Sequence, residues 1–375
     1  MGNRLTLSRE GRSNLEAYLA RQAELAETTV ERLGKTFSVD PAVHQKMENA
    51  IKESDELLKR INSIGVDDQE GEKVLVNTSG PIASTNSTSD GVKRRNPADV
   101  SDLASRRYRC EQVNYDTFIS YAQIDAWSNQ KNFQQLLSAQ ITRQIALDRI
   151  MIGFNGESHA IISDRSANPK LQDVNTGWLK HIREHATTRV VKAMTLTRRD
   201  HENKLVAKGD YGNADAMVND IRSSVLDEWH KDAPDLVVVM GRNLFNTLRL
   251  PMINAISTTN PNTELVAGQL ITASRTIGAL PTFFAPYFPD DAMLITSFSN
   301  LSVYFQKGSL RRFIREEPEY NRIATYQSMN DCYVVEDYGK CALIEGISFA
   351  AVKIRKTRKR QKHRRNASWR AHVPA

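Results

Sequence analysis

The chain has 375 residues, 40% of them hydrophobic and 25% charged, a balance that excludes a disordered or membrane-embedded protein and fits two or three folded domains. Its longest purely apolar run, Leu236–Met240, falls far short of the ~20 residues a membrane-spanning helix needs, and no apolar stretch of a secretory signal follows Arg4, Arg9 and Arg12. The net charge is +7, but ten of the 51 bases and none of the 44 acids lie in Lys353–Ala375; the remaining 41 bases against 44 acids leave a body of net −3.

The first stretch, up to Gly34, reads as a detached amphipathic helix. Ser13 and Glu16 have capping-box spacing, and Leu15, Tyr18, Leu19, Ala26, Val30 and Leu33 recur at helical intervals. A second helix opens with Asp40 as N-cap and Pro41 at the first helical position. Val43, Met47, Ile51, Leu58 and Ile61 form its apolar stripe, and Gly65 is expected to end it. Neither helix is apolar enough to form a core alone, so both read as an arm that lies on something else.

From Glu72 to Ile124 the pattern switches to alternation. Val74 and Val76 mark one strand; Val113, Tyr115, Thr117, Ile119 and Tyr121 mark another, with Phe118 breaking its polar face. Between them, Asn77–Arg95 is rich in Ser, Thr, Asn, Asp and Gly. This reads as a long two-stranded arm with a polar tip, marginal in isolation and in need of a neighbouring surface. Asp125 then opens the longest helix, with Phe133, Leu137, Ile141 and Ile145 at i+4 and Leu147, Met151 and Phe154 extending the stripe. About 28 residues of helix would span ~42 Å. A polar loop with Asn168-Pro169 follows, then helices at Gly177–His185 and Asp215–Trp229, the buried strand Leu236–Met240, and strands and loops from Ile277 to Ile347. The fold class expected is α+β.

Little in the chain reads as chemistry. His181-Ile182-Arg183-Glu184-His185 matches the H-x-x-E-H zinc signature, but no second paired site offers the third ligand, and the residues read as solvated positions on a helix. Gly65–Gly71 has the wrong spacing for a phosphate loop and no Gly-Lys-Ser/Thr. The four tryptophans, Trp127, Trp178, Trp229 and Trp369, read as core or contact residues. Cys110, Cys332 and Cys341 are widely spaced without C-x-x-C, which argues against a disulfide framework and for a reducing compartment. No catalytic residue, cofactor or metal site is expected. The tail bases Lys353, Arg355, Lys356, Arg358, Lys359, Arg360, Lys362, Arg364, Arg365 and Arg370 are candidates for salt-dependent contact with nucleic acid; a solvated extension is the plainer alternative.

An arm that cannot fold alone, a long hairpin and a very long helix describe a chain built to touch copies of itself. The runs Gly153-Phe154-Asn155-Gly156, Ser163-Asp164-Arg165, Asn168-Pro169, Leu171-Gln172-Asp173, Gly177-Trp178-Leu179 and Asp235-Leu236-Val237-Val238 resemble the major capsid proteins of the peduoviruses, temperate contractile-tailed bacteriophages. So do Ala285-Pro286-Tyr287-Phe288-Pro289, Asp291–Thr296 and Val334–Tyr338. The similarity runs from about Tyr18 to Ile347 in unbroken order.

The resemblance implies the capsid fold of tailed phages and herpesviruses. In it, residues 1–65 would be an N-terminal arm and 72–124 an extended β-hairpin loop overlapping a neighbour. Residues 125–210 and 300–350 would form a peripheral domain with spine helix 125–154, residues 211–299 an axial domain, and 353–375 a basic tail. It further implies hexamers and pentamers closing an icosahedral head around double-stranded DNA. Such heads form as scaffolded procapsids that mature by arm cleavage and expansion. Partners would be the scaffold-linked protease and the portal, with no membrane, in the virion and, during assembly, the host cytoplasm. A cut is expected between Leu25 and Pro41, first at Phe37-Ser38. The alternative is a soluble nucleic-acid-binding or zinc-dependent protein using the tail or His181 and His185.

Overall fold

The computed structural model describes residues 9–25, 28–33, 37–73, 83, 85, 107–126, 133–200, 204–248 and 276–351. Val74, Val76, the Asn77–Arg95 tip apart from positions 83 and 85, Trp127, Trp369 and the whole basic tail lie outside them.

One strand organises the larger sheet. Arg322–Val335 runs 14 residues and is flanked on each side by a strand broken in two. On one side Leu301–Gln306 and Arg311–Glu317 pair with it antiparallel, separated by a turn at Gly308, whose φ is +71°. On the other, Glu111–Asn114 and Thr117–Ser120 do the same. Of the alternating residues, Val113 and Ile119 lie on these strands, Tyr115 lies in the break between them and Tyr121 opens the helix Tyr121–Ala126; all four side chains are buried. The expectation that they form the second strand of a long two-stranded arm is corrected, because the strands carrying Val113 and Ile119 pair with the long strand. The described hairpin is the short antiparallel pair Glu70–Glu72 with Arg107–Arg109. Asn62–Val66 adds a parallel strand beside Leu301–Gln306, and Phe37–Ser38 an antiparallel edge beside Arg311–Glu317.

The second sheet runs in the order 276–277, 280–284, 236–240, 293–297, 342–345, 190–192. Leu236–Met240 is buried on both faces. Val237 and Val239 enter one apolar core, while Leu236, Val238 and Met240 enter another. A strand walled on both sides reads as a continuous apolar run because no face of it meets water. The smaller core is closed by helix Ala214–Val225. Asn213 caps it, its side chain accepting from the Ala216 amide, and Leu226 ends it in extended backbone. The expected continuation to Trp229 is corrected to a single 3-10 turn, on which Trp229 is exposed.

The arm departs from its sequence reading at several points, the first being that its opening helix ends at Leu25, with Val30–Leu33 a separate short turn of helix. Helix Arg9–Leu25 passes straight through Ser13, so Ser13 is not its cap. The second helix is two: Pro41–Glu53, capped by Asp40, and Glu56–Arg60, capped by Asp55, whose carboxylate accepts from the Leu57 amide at 2.7 Å. Asn62–Val66 then becomes strand because parallel pairing with Leu301–Gln306 outweighs local helical spacing. The central helix runs Phe133–Asn155, 23 residues, or ~34 Å. Asp125 belongs to a separate short helix, Tyr121–Ala126; residues 127–132 lie outside the described chain.

Close approach explains the glycines at the end of the central helix. A Cβ on Gly153 would stand 2.2 Å from the Trp178 ring, and one on Gly177 would stand 2.3 Å from the Ile152 carbonyl. Trp178, at the start of helix Trp178–His185, is fully buried and donates its indole N–H to the Ser302 carbonyl at 2.9 Å. Its ring meets Phe154 and Tyr333 edge-on. Asn155 donates to the Tyr287 carbonyl at 2.9 Å, fixing the turn at Ala285–Pro289.

Candidate functional site

The strongest polar constellation joins the arm to the body. His44 and Glu48 sit one turn apart on helix Pro41–Glu53. Glu48 faces Arg149 of the central helix, and Arg149 faces Asp331 of the long strand. Arg149 Nη1 and Nη2 donate to the two Glu48 oxygens at 2.7 and 2.8 Å; Nη2 and Nε donate to Asp331 at 2.9 and 3.1 Å. The Tyr115 hydroxyl donates to Asp331 at 3.2 Å. Side-chain exposure is 3% for Arg149, 1% for Glu48 and 0% for Asp331. His44 is equally buried, 3.5 Å from Glu48 and edge-on to Phe305.

Burial works to raise the Glu48 carboxyl, but the Arg149 charge and hydrogen bonds hold it below the usual carboxylate range. Burial pushes Asp331 up, with Arg149 opposing and the Glu48 carboxylate adding to the rise. The guanidinium would be lowered by burial, yet Asp331 and Glu48 lift it well above its ordinary value. Charges this deeply desolvated and this fully paired meet no solvent or substrate. They clamp three segments, and removing one partner leaves a buried charge uncompensated. Sequence reasoning missed this clamp. Its local signals are Glu48, an acid between Met47 and Ile51 on an apolar stripe, and Arg149, the next position in the i+4 series Phe133, Leu137, Ile141 and Ile145.

The arm's first helix is held differently. Leu15, Tyr18 and Ala23 pack on Ile119, Tyr121, Ile124, Ile314 and Ile323. Arg12 reaches Glu316 at 3.4 Å on the surface. Gln22 accepts from Arg312 at 2.9 Å, and Arg312 also donates to Gln327. Burial lowers the Arg312 guanidinium, which has neutral amides rather than carboxylates around it. A cavity of about 240 Å³ remains beneath, lined by Tyr18, Val43, Met47, Ile141, Ile145 and Arg312.

Phe37–Ser38, the expected processing point, is backbone-paired with Arg311 and Arg312 at the sheet edge. His181 and His185 do share a helix face, their rings stacked at 5.7 Å. His181 is half-buried rather than solvated, which corrects the reading above; burial, and then His185, lowers its imidazole to about 4. Among the described residues no group of three or more histidine, cysteine or acidic side chains is placed to hold a metal ion. Lys73 is bound by the Val335 and Glu336 carbonyls and lies over the Tyr338 ring. The tail bases from Lys353 to Arg370 lie outside the described residues.

Comparison with known proteins gives one consistent result. Residues 14–347 match the family model for the phage major capsid protein, P2 family. The chain is 52% identical over 339 residues to the major capsid protein of Serratia phage KSP20, covering 90% of this chain and 97% of that one. It is 40% identical over 348 residues to the capsid proteins of Escherichia phage P2, covering 91% and 95%. Among solved structures, a chain of the satellite phage P4 procapsid that includes the size determination (Sid) protein superposes with a TM-score of 0.72. That match has 38% identity and covers 92% of this chain and 100% of that one.

Proposed function

We propose a function from one premise: the chain belongs to the P2 family of phage major capsid proteins. It is a structural protein of the phage head, assembling with copies of itself into the shell of the virion. Beyond that, we read it as forming hexamers and pentamers of an icosahedral head around double-stranded DNA. The head starts in the host cytoplasm as a scaffolded procapsid and incorporates a portal. It matures by arm cleavage and expansion. The observation that carries this reading is the likeness, over nearly the whole chain, to a protein of a procapsid.

Residues 1–65 act as the arm and 72–124 as the extended loop, rooted by residues 111–120 on the long strand of its own chain and reaching from there over a neighbour; 125–210 with 300–350 act as the peripheral domain, and 211–299 as the axial domain. The change in attachment between the arm's two halves supports a cut between Leu25 and Pro41. A cut at Phe37-Ser38 would free a lightly held helix and spare the clamped one. The bond must first peel from its two-residue edge strand, since a protease needs the backbone that Arg311 and Arg312 now pair. The basic tail, Lys353 to Arg370, is read as touching packaged DNA. Ile161 and Ile162 are almost fully exposed on a loop pinned by backbone bonds to Gln172 and Asp173. Rigidly presented apolar side chains of that kind suit contact with another copy.

The test is co-expression with the scaffold-protease, sedimentation, and negative-stain imaging of the fast fraction with intact mass. Closed shells whose chain has lost the arm's first helix are expected. A persistent monomer overturns assembly, and shells whose chain still starts at Met1 or Gly2 overturn cleavage. Deleting Lys356–Ala375 without changing DNA retention or its salt sensitivity overturns the tail's role.

A further inference from the structure

Two cysteines 222 residues apart in sequence place their sulfurs 3.5 Å from each other. Cys110 follows directly on strand Arg107–Arg109, where the 74–106 segment returns to the described chain. Its amide donates to the Gln69 carbonyl, and Gln69 donates back to its carbonyl. Cys332 lies on the long strand, paired with Tyr304. The two thiols sit in a small apolar cluster of their own, with Val66, Tyr108, Tyr304 and Val334. Tyr108 and Tyr304 meet edge-on beside them at 5.2 Å.

We propose that Cys110 and Cys332 are an oxidative modification site, forming an intramolecular disulfide that staples the root of the 74–106 segment to the long strand. The sulfurs need to close by about 1.5 Å to bond. With a small disulfide such as oxidised glutathione as oxidant, one cysteine sulfur attacks it and releases one glutathione thiol. The other cysteine then attacks the mixed disulfide and releases the second. Two thiol protons pass to the glutathione thiolates, two cysteines are oxidised and one glutathione disulfide is reduced. The hydrogen bond from Cys110 and burial hold the Cys332 thiol well above its ordinary pKa, and both residues are buried. Reaction therefore waits on opening of the Glu70–Glu72 and Arg107–Arg109 pair, and is slow. A shell assembled in a reducing cytosol and released into an oxidising medium would acquire the staple late. That timing rests on the head-shell reading, whereas the chemistry does not.

The chain, in whatever assembly state it is purified, is incubated with oxidised glutathione, denatured and alkylated, and its peptides are mapped. We expect a linked pair containing Cys110 and Cys332, with Cys341 left as the single alkylated thiol. Closing so long a loop is expected to raise the melting temperature on the order of 5 °C, reversed by dithiothreitol. Three alkylated thiols, stable glutathione adducts on either residue, or linkage with an unchanged melting temperature would overturn the proposal. Cys332→Ala should abolish the link and the reversible shift; Cys110→Ala serves the same purpose if the first variant does not fold. Because the readout is intramolecular, failure to form shells leaves this test intact, and failure of the link leaves the head-shell reading intact.

Discussion

The two halves of the N-terminal arm are similar in sequence character and unlike in attachment. Helix Arg9–Leu25 rests on the sheet edge through a few apolar side chains, an exposed ion pair and amide bonds to Arg312, above a cavity. Residues 37–66 are woven in by two strand pairings and by Glu48, whose carboxylate is shared with the central helix in a dry interior. Surface ion pairs contribute up to about 1 kcal/mol, whereas breaking a buried one costs about 3–5 kcal/mol. Amphipathicity alone therefore says that a helix needs a surface, not how firmly it holds that surface.

The sharpest way to break the contrast is Arg149→Leu. It leaves Glu48 and Asp331 buried without their counter-charge, and a loss of about 3–5 kcal/mol is expected in denaturant unfolding. Limited proteolysis should then reach residues 41–60. If those residues stay protected and stability is unchanged, the clamp is not what holds the second half.

Gly153→Ala acts on the same clamp from one helical turn away. The new methyl group meets the Trp178 ring, so the central helix must shift and carry Arg149 with it. A cost of about 1–3 kcal/mol is expected, read as a lower melting temperature and altered tryptophan fluorescence.

Acid should separate the contributions. The His181 imidazole is lowered in the fold from 6.5 to about 4, so the unfolded chain binds the extra proton first. Its stability contribution is whole above about pH 6.5 and is lost as pH falls toward 4, up to about 3 kcal/mol. His181→Gln should flatten that limb of a stability–pH profile. Glu48, lowered in the fold, loses its contribution below the ordinary glutamate range. Asp331, raised, acts oppositely: its contribution is present at low pH and fades as pH rises through its folded value.

The smallest effect is expected for Arg12→Ala, which removes the exposed contact with Glu316. A change of no more than about 0.5 kcal/mol, weaker still in high salt, is expected in thermal unfolding. A loss as large as that of Arg149→Leu would erase the difference between the halves.

Whatever depends on near neighbours could be read from the sequence alone. The Asp40 cap with Pro41, the apolar stripe of the central helix, the unbroken run at Leu236–Met240 and the concentration of charge in Lys353–Ala375 are all local patterns. The capsid family was also legible, through runs such as Gly153–Gly156 and Gly177–Leu179, where Gly153 admits the Trp178 ring and Gly156 and Gly177 admit close backbone carbonyls. What tertiary structure decided are the pairings: the long strand as partner of Val113 and Ile119, strand in place of helix at Asn62–Val66, Glu48 with Arg149 and Asp331, and Cys110 beside Cys332. Helix stripes and caps arise from residues a few positions apart, so they are written into the sequence. A strand's partner, a buried counter-ion or a neighbouring sulfur comes from a segment hundreds of residues away, chosen only when the whole core closes.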